Sequence, residues 1–434
     1  MPSLVDFAYY AGLLLASPVL SYKVARKRGR RHLSGLKERL GECEKRLGTR
    51  PCIWIHGVSV GEIQAARTLV DAIERELPEF EIVLSTTTGT GQEVAKRTYP
   101  DKRVFYFPID FTWSVAKVFR AIRPSVVVLV ELEIWPNFLH EAHRNRIPIA
   151  LVNGRISAKS FRSYRFVRSL LFDPVGKIGL FFVQTELYAE RFRNLGIPAR
   201  SIQVTGSVKY DQLAAADLDP AEVRRDMGIG EEDLVLMGGS THPSEEASLL
   251  KAYTSLRDDF PGLRLVLVPR HTERTPEVLA LLQAQVSVTQ RTEQVSARGA
   301  ESASAPLPPG EVLLVNTVGE LGRLYAAADL VFVGGSLIPH GGQNMLEPVM
   351  YAKPTLFGPH WVNFAEPVKR LLEAEGVREV QSANELEPAF REFLSDPESA
   401  QRMGERGREA MLAAQGATEA TVRGLARFLR RRGR

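Results

Sequence analysis

Trp54-Ile55-His56-Gly57-Val58-Ser59-Val60-Gly61-Glu62 is the stretch whose reading decides the fold. An apolar run, 52–56, ends at a glycine, crosses a short turn and enters a helical pattern over 63–77. The turn carries a carboxylate, Glu62, to the start of that helix. A carboxylate at the carboxyl end of a strand is where open α/β sheets place their chemistry. Outward from this unit the same grammar repeats. Apolar runs at 82–85, 104–107, 126–131, 149–153, 180–184 and 203–206 alternate with helical patterns, for example 91–97. Val- and Ile-rich runs without polar alternation predict strands covered on both faces, as in a parallel sheet. The βα repetition predicts a doubly wound domain.

The pattern breaks over 208–224, around Asp217-Leu218-Asp219-Pro220, and this stretch reads as an inter-domain linker. A second βα series follows at 234–238, 265–269, 312–316, 330–334 and 355–358. Segment 289–311 is polar and rich in Ser, Ala and Pro, the composition of a mobile loop. From Ala400 the chain reads as helix ending in a basic tail. A chain of 434 residues exceeds one ordinary core, in keeping with two domains. Two Rossmann-like doubly wound domains facing a cleft make the GT-B architecture, an α/β fold class that does not by itself settle function.

Residues 4–22 are mostly apolar, and Lys23, Arg26, Lys27, Arg28, Arg30 and Arg31 follow. Positive charge after the apolar run, with little before it, predicts an N-terminal membrane-anchor helix whose C-terminal side is cytoplasmic. Asp6 and Pro18 interrupt a clean span, which leaves an interfacial helix or a buried helix of a soluble protein as the other readings. A second basic cluster, Arg427, Arg430, Arg431, Arg432 and Arg434, closes the chain. Basic clusters favour anionic surfaces. No Cys/His finger or aromatic RNA-binding signature accompanies them, so nucleic acid is not the expected partner. Cys43 and Cys52, the only cysteines, have no metal-ligand spacing and suit a reducing cytoplasm.

The chemistry-bearing residues lie at predicted strand ends. Glu62 reads as a general base for an acceptor hydroxyl. It reads equally as the N3 member of a capping box with Ser59, a role that lowers its pKa. The spacing alone favours the cap, but Gly57 and Gly61 leave room for a ligand to approach the backbone. Glu131 and Glu133 close the Val-rich run 126–131, with Glu131 continuing the strand inward. Carboxylates there need partners, such as Arg155, or face a cleft. Lys209 follows another strand end and either meets negative charge or is simply solvated. In the second half, the turn Gly238-Gly239-Ser240-Thr241-His242-Pro243 and the run Gly334-Gly335-Ser336 offer backbone N–H groups to an anion. Arg270 after Pro269 offers a bidentate guanidinium. His340-Gly341-Gly342-Gln343-Asn344-Met345-Leu346-Glu347 leads into a helix N-terminus suited to phosphate, with Glu347 placed for ribose hydroxyls or for dipole complementation. Asp217-Leu218-Asp219 imitates a metal-binding Asp-x-Asp, but Pro220 and Glu222 make Asp219 a helix N-cap. No metal site is expected.

Taken together, HGVSVGE (56–62), ELEIWPN (131–137), NGRIS (153–157), GSVKYD (206–211), GSTHPSEE (239–246), VPRH (268–271), VGEL (318–321) and GGQNMLEP (341–348) resemble the Kdo transferases of lipopolysaccharide biosynthesis over nearly the whole chain. These enzymes attach 3-deoxy-D-manno-octulosonic acid (Kdo) to lipid A precursors. The resemblance implies a metal-independent, inverting GT-B glycosyltransferase that uses CMP-Kdo as donor and lipid IVA as acceptor, with no cofactor. It implies Glu62 as general base, with Glu131 and Lys209 assisting at the transition state. Pro269, Arg270, Val318, Gly319, Glu320, Asn344, Met345, Leu346 and Glu347 would line the CMP site. It divides the chain into an anchor and basic flank (1–31), an acceptor-binding domain (32–215) and a CMP-Kdo-binding domain with the C-terminal helix and tail (216–434). It places the protein on the cytoplasmic side of the inner membrane. Ser244 stands where glycine is more usual, and Gln343 where histidine is common. The rival readings are another GT-B nucleotide-sugar transferase or epimerase, which would favour UDP over CMP, and a non-catalytic membrane-associated binding protein, which would tolerate Glu62→Gln.

Overall fold

The computed structural model describes residues 3, 5–7, 9, 10, 35–170, 175–213, 217–297 and 304–432. The chain forms two units, Met1–Gln212 with Ala414–Arg434, and Leu213–Ala413.

The first unit is built on seven strands: β1 Cys52–His56, β2 Glu81–Thr86, β3 Arg103–Tyr106, β4 Val126–Val130, β5 Ile149–Gly154, β6 Leu180–Val183 and β7 Ile202–Val204. Their order is β3-β2-β1-β4-β5-β6-β7, parallel at every pairing. The continuous apolar runs follow from this, because each central strand is covered on both faces. Trp54, Val127 and Leu129 fill one layer, where the Trp54 ring meets Phe105, Phe119 and Phe138. Ile53, Ile55, Val126 and Val128 fill the other, against Ile63, Leu69, Val70 and Ile73 of helix Val60–Glu76. Strand order reverses between β1 and β4, so the loops after these two strands diverge and leave a crevice at their carboxyl ends.

The second unit repeats the plan with β8 Leu234–Thr241, β9 Leu263–Pro269, β10 Val288–Gln290, β11 Val312–Leu314, β12 Leu330–Val333, β13 Thr355–Phe357 and β14 Arg378–Glu379. The order is β10-β11-β9-β8-β12-β13-β14, again all parallel. Here the reversal lies between β8 and β12. Strands β10 (Val288-Thr289-Gln290) and β14 (Arg378-Glu379) are largely polar or charged and so leave no apolar run in the sequence.

Three expectations need correction. Glu131 does not continue β4, which ends at Val130, and its backbone turns to φ +63°. Segment 289–311 is not a loop throughout. It supplies part of β10 and helix Arg291–Ala297, and Arg291 is fully buried. The Arg291 guanidinium bonds Asp226 Oδ2 (2.5 Å), Asp226 O (2.6 Å) and Glu320 Oε2 (3.1 Å), and these bonds hold a polar sequence in place. Residues 298–303 lie outside the described ones. The C-terminal helix Ala417–Arg432 belongs to the first unit, not to 216–434, because Val422, Leu425 and Ala426 complete the apolar layer over β1, β4 and β5. At the head of the apolar stretch 4–22 the described residues lie against the first unit. Asp6 is buried, accepts from Thr112 N–H (3.0 Å), Thr112 Oγ1 (2.6 Å) and Asn137 Nδ2 (2.9 Å), and so ties the N-terminal segment to the first unit. Residues 11–34, with the basic flank 23–31, lie outside the described residues. Among the described residues no helix is long and apolar enough to cross a membrane.

Candidate active site

The turn after β1 delivers Glu62 as the sequence suggests. Ser59 is the N-cap of helix Val60–Glu76, with φ −113° and ψ 167°. The Glu62 N–H donates to Ser59 Oγ (3.4 Å), and Ser59 Oγ donates to Glu62 Oε1 (3.0 Å). Val58 N–H donates to Glu62 Oε2 (2.6 Å). A Cβ on Gly57 would meet Glu62 Cβ at 3.3 Å, so the glycine lets the carboxylate fold back over the turn. The capping geometry is therefore real, but its expected electrostatic consequence is reversed. Burial pushes the Glu62 carboxyl above the usual carboxylate range; the Val58 and Ser59 bonds oppose the shift, and the Glu131 charge adds to it. A carboxylate with raised proton affinity is a better base.

Glu131 lies beyond β4, next to β1 at the switch point, and is 5% exposed. Its Oε2 accepts from Arg155 Nε (2.7 Å) and its Oε1 from Lys209 Nζ (3.0 Å). The anticipated pair with Arg155 and the lysine at the β7 end thus converge on one carboxylate. Arg155 and Lys209 remain about half exposed on their outer sides. Glu133 was not singled out for a role by the sequence. Its Oε2 accepts from Trp135 Nε1 (2.8 Å). Burial, with the Glu62 and Glu131 charges, pushes its carboxyl up to about 7. Beneath them, His56 is fully buried against Phe107, with ring centroids 3.8 Å apart. Its Nδ1 lies 3.1 Å from Ser85 O and 2.9 Å from Ser85 Oγ. A carbonyl only accepts, so Nδ1 carries the proton. Burial lowers the His56 pKa to about 3, and the ring stays neutral.

In the second unit the glycine turns behave differently from the expectation. Gly238 to Thr241 continue strand β8 rather than forming an anion-binding turn. The N–H groups of Gly335 (2.7 Å), Ser336 (3.0 Å) and Leu337 (3.0 Å), with that of His242 (2.9 Å), all donate to the carboxylate of Glu245, which is fully buried. The cradle after β12 is filled by the protein's own anion. Ser244, where the resemblance expects glycine, holds the left-handed φ of +76° that glycine favours. The free donors lie further on. The N–H groups of Asn344 and Met345 have no acceptor among the described residues. Asn344 Nδ2 donates to Glu347 Oε1 (2.8 Å), and Leu346 N–H donates to Asn344 Oδ1 (3.2 Å). Met345 and Leu346 are buried; burial raises the Glu347 pKa, and Glu347 Oε2 lies 3.8 Å from the Cβ position of Gly322. The 344–347 and 318–321 motifs therefore adjoin.

Pro269 ends β9, and Arg270 N–H donates to Thr241 O (2.9 Å). The exposed Arg270 guanidinium has no ion-pair partner among the described residues. Val318 is 84% exposed, and Gly319 at φ +89° opens to solvent. Glu320 already has partners within the second unit. Its Oε2 accepts from Arg323 (2.7 Å) and Arg291 (3.1 Å), and its pKa is lowered against the pull of burial. Three histidines cluster near Arg270. The His242 ring lies 4.3 Å from that of His340 and 5.9 Å from that of His271. Burial, then these histidines and Arg274 and Arg270, lower the His242 pKa to about 4. Asp219 Oδ1 accepts from Ala221 N–H (2.9 Å), so the Asp-x-Asp look-alike is a helix cap.

Residues 34–212 match the family described as 3-Deoxy-D-manno-octulosonic-acid transferase (kdotransferase). A 3-deoxy-D-manno-octulosonic acid transferase of Haemophilus influenzae is 33% identical over 440 residues, covering 98% of this chain and 99% of that one. The Bordetella pertussis protein of the same name is 31% identical, covering 87% of each. Among solved structures, the UDP-GlcNAc 2-epimerase of Neisseria meningitidis superposes with a TM-score of 0.58 at 13% identity, over 87% of this chain and all of that one. That likeness is one of fold, and it defines the class: paired Rossmann-like domains of the GT-B type. The chain belongs to the 3-deoxy-D-manno-octulosonic acid transferase family, and it is a glycosyltransferase.

Proposed function

We propose that the protein transfers Kdo from CMP-Kdo to a hydroxyl of a lipid A precursor, lipid IVA, with inversion at the anomeric carbon. The observation that carries this reading is the Glu62 carboxylate, held at the β1 end by Val58 and Ser59 with its proton affinity raised by burial. The bond from the anomeric carbon to the CMP phosphate breaks, and the electron pair leaves with CMP. The acceptor oxygen forms the new bond from the opposite face, and its proton passes to Glu62. Glu131, fixed between Arg155 and Lys209, keeps a negative charge near Glu62 and steadies the positive character of the sugar centre. Arg270 and the amides of Asn344 and Met345 receive the phosphate charge, and Val318, Gly319 and Glu347 accompany the nucleoside. Glu320 contributes by holding the 318–321 turn through Arg291 and Arg323.

We place the protein on the cytoplasmic side of the inner membrane, because the apolar run 4–22 favours the bilayer hydrocarbon and the basic residues 23–31 favour its anionic leaflet. The test is mass spectrometry of a tetraacylated lipid A precursor incubated with CMP-Kdo. The expected product is heavier by one or more Kdo units and fails to form with UDP-sugars. Transfer from a UDP-sugar instead, or thermal protection by UDP exceeding that by CMP, overturns the reading.

A further inference from the structure

A hollow of about 540 Å³ opens on the loops that follow β12 and β13, and it lies within the second unit. That volume is within the range of small-ligand sites, roughly 300–1,000 Å³. Its polar lining is His340 from the first loop, His360 and Trp361 from the second, and Lys369 from helix Ala365–Glu373. No carboxylate lines it. Lys369 is exposed and makes no ion pair with a described residue. The walls are Pro339, Pro359, Val362 and the Trp361 ring.

The hollow is built rather than incidental. Asn363 Nδ2 donates to His340 O (3.2 Å) and Asn363 N–H to Gly341 O (3.0 Å), which joins the two loops. Gly341 sits at φ +101°, and a Cβ there would lie 2.6 Å from Asn363 Nδ2, so only glycine permits the junction. Trp361 Nε1 donates to Glu379 Oε2 (3.2 Å), and this bond fixes the indole. His340 opens the motif that leads to the free amides of Asn344 and Met345, and its ring touches that of His242. Three basic groups beside an aromatic plane, with no acid, suit a ligand that is both anionic and sugar-like. The carboxylate pairs with the Lys369 ammonium and accepts hydrogen bonds from imidazole N–H groups. The C–H face of the sugar packs on the indole.

We propose that this hollow recognises the acidic sugar of the donor, with the Kdo carboxylate against Lys369 and the histidines and the sugar face on Trp361. The proposal rests on the donor reading above and deepens it, naming residues that discriminate an acidic sugar from a neutral one. The test separates sugar from nucleotide recognition. Lys369→Met and Trp361→Leu are expected to raise KM for CMP-Kdo about tenfold or more, the loss typical of one charged hydrogen bond, and to leave CMP affinity within about twofold. An unchanged KM, or an equal loss of CMP affinity, overturns the subsite. Saturation-transfer NMR of free Kdo, with mannose as neutral control, reads the same site without turnover. Kdo saturation in the wild type that Lys369→Met abolishes supports the subsite, even if no lipid product forms and the functional reading fails. Absence of Kdo saturation in the wild type, or saturation that Lys369→Met leaves intact, overturns it.

Discussion

Glu62 and His56 lie six positions apart in one motif, and burial keeps both uncharged to a higher degree than water would. As the proposed base Glu62 acts in its deprotonated form, so activity is expected to fall as pH drops through its raised pKa. The acid limb of kcat/KM is expected above the ordinary carboxylate range, and Glu131→Gln should shift it lower because the neighbouring charge is removed. A pH–rate profile of the two proteins checks this. For His56 the sign concerns stability. Its folded pKa of about 3 lies below the unfolded value, so its contribution is present above about 6.5 and is lost as pH falls towards 3. His56→Gln should flatten that slope by about 1.4 kcal/mol per pH unit, measured by urea melts between pH 4 and 7. The position of the Glu62 carboxylate was legible because a glycine-flanked turn after an apolar run has few uses. The direction of its pKa was not, since spacing reveals a cap but not the burial that outweighs it. Glu133 was passed over for the same reason: nothing in Glu131-Leu132-Glu133 says which carboxylate the cations take.

At the scale of elements, the loop after β12 shows how one glycine-rich sequence serves two ends. Gly334-Gly335-Ser336 was read as a cradle for the donor anion, and it is a cradle, but Glu245 occupies it. Glu245 opens helix Glu245–Leu256, where an acidic residue ordinarily means only dipole complementation. Three of the four hydrogen bonds come from residues about ninety positions away, and no local pattern reports them. Removing this carboxylate leaves buried N–H groups unpaired. Glu245→Ala is therefore expected to destabilise the second unit by roughly 3–5 kcal/mol, and Glu245→Gln by less because an acceptor remains. Hydrogen exchange at Gly335, Ser336 and Leu337 reports the loss directly. Equal protection in wild type and Glu245→Ala contradicts the assignment.

For the whole molecule, the doubly wound class and most strands follow from the apolar runs, because a strand buried on both faces must be apolar throughout. Strand order and the home of the last helix do not follow, because periodicity shows an apolar face without naming what covers it. The helix Ala417–Arg432 returns to the first unit, where Val422 and Leu425 each bring about 1.5–3 kcal/mol of burial. Deleting 414–434 should lower the melting temperature of the first unit and leave hydrogen exchange in the second unchanged. The central claim is that Glu62 removes the acceptor proton. Its most direct test is single-turnover mass spectrometry of Kdo transfer by wild type and Glu62→Gln, both saturated with CMP-Kdo and lipid acceptor. The expected rate for Glu62→Gln is at least about 10²-fold lower, with CMP affinity and folding unchanged. Transfer by Glu62→Gln at the wild-type rate would contradict it and leave Glu62 as a helix cap.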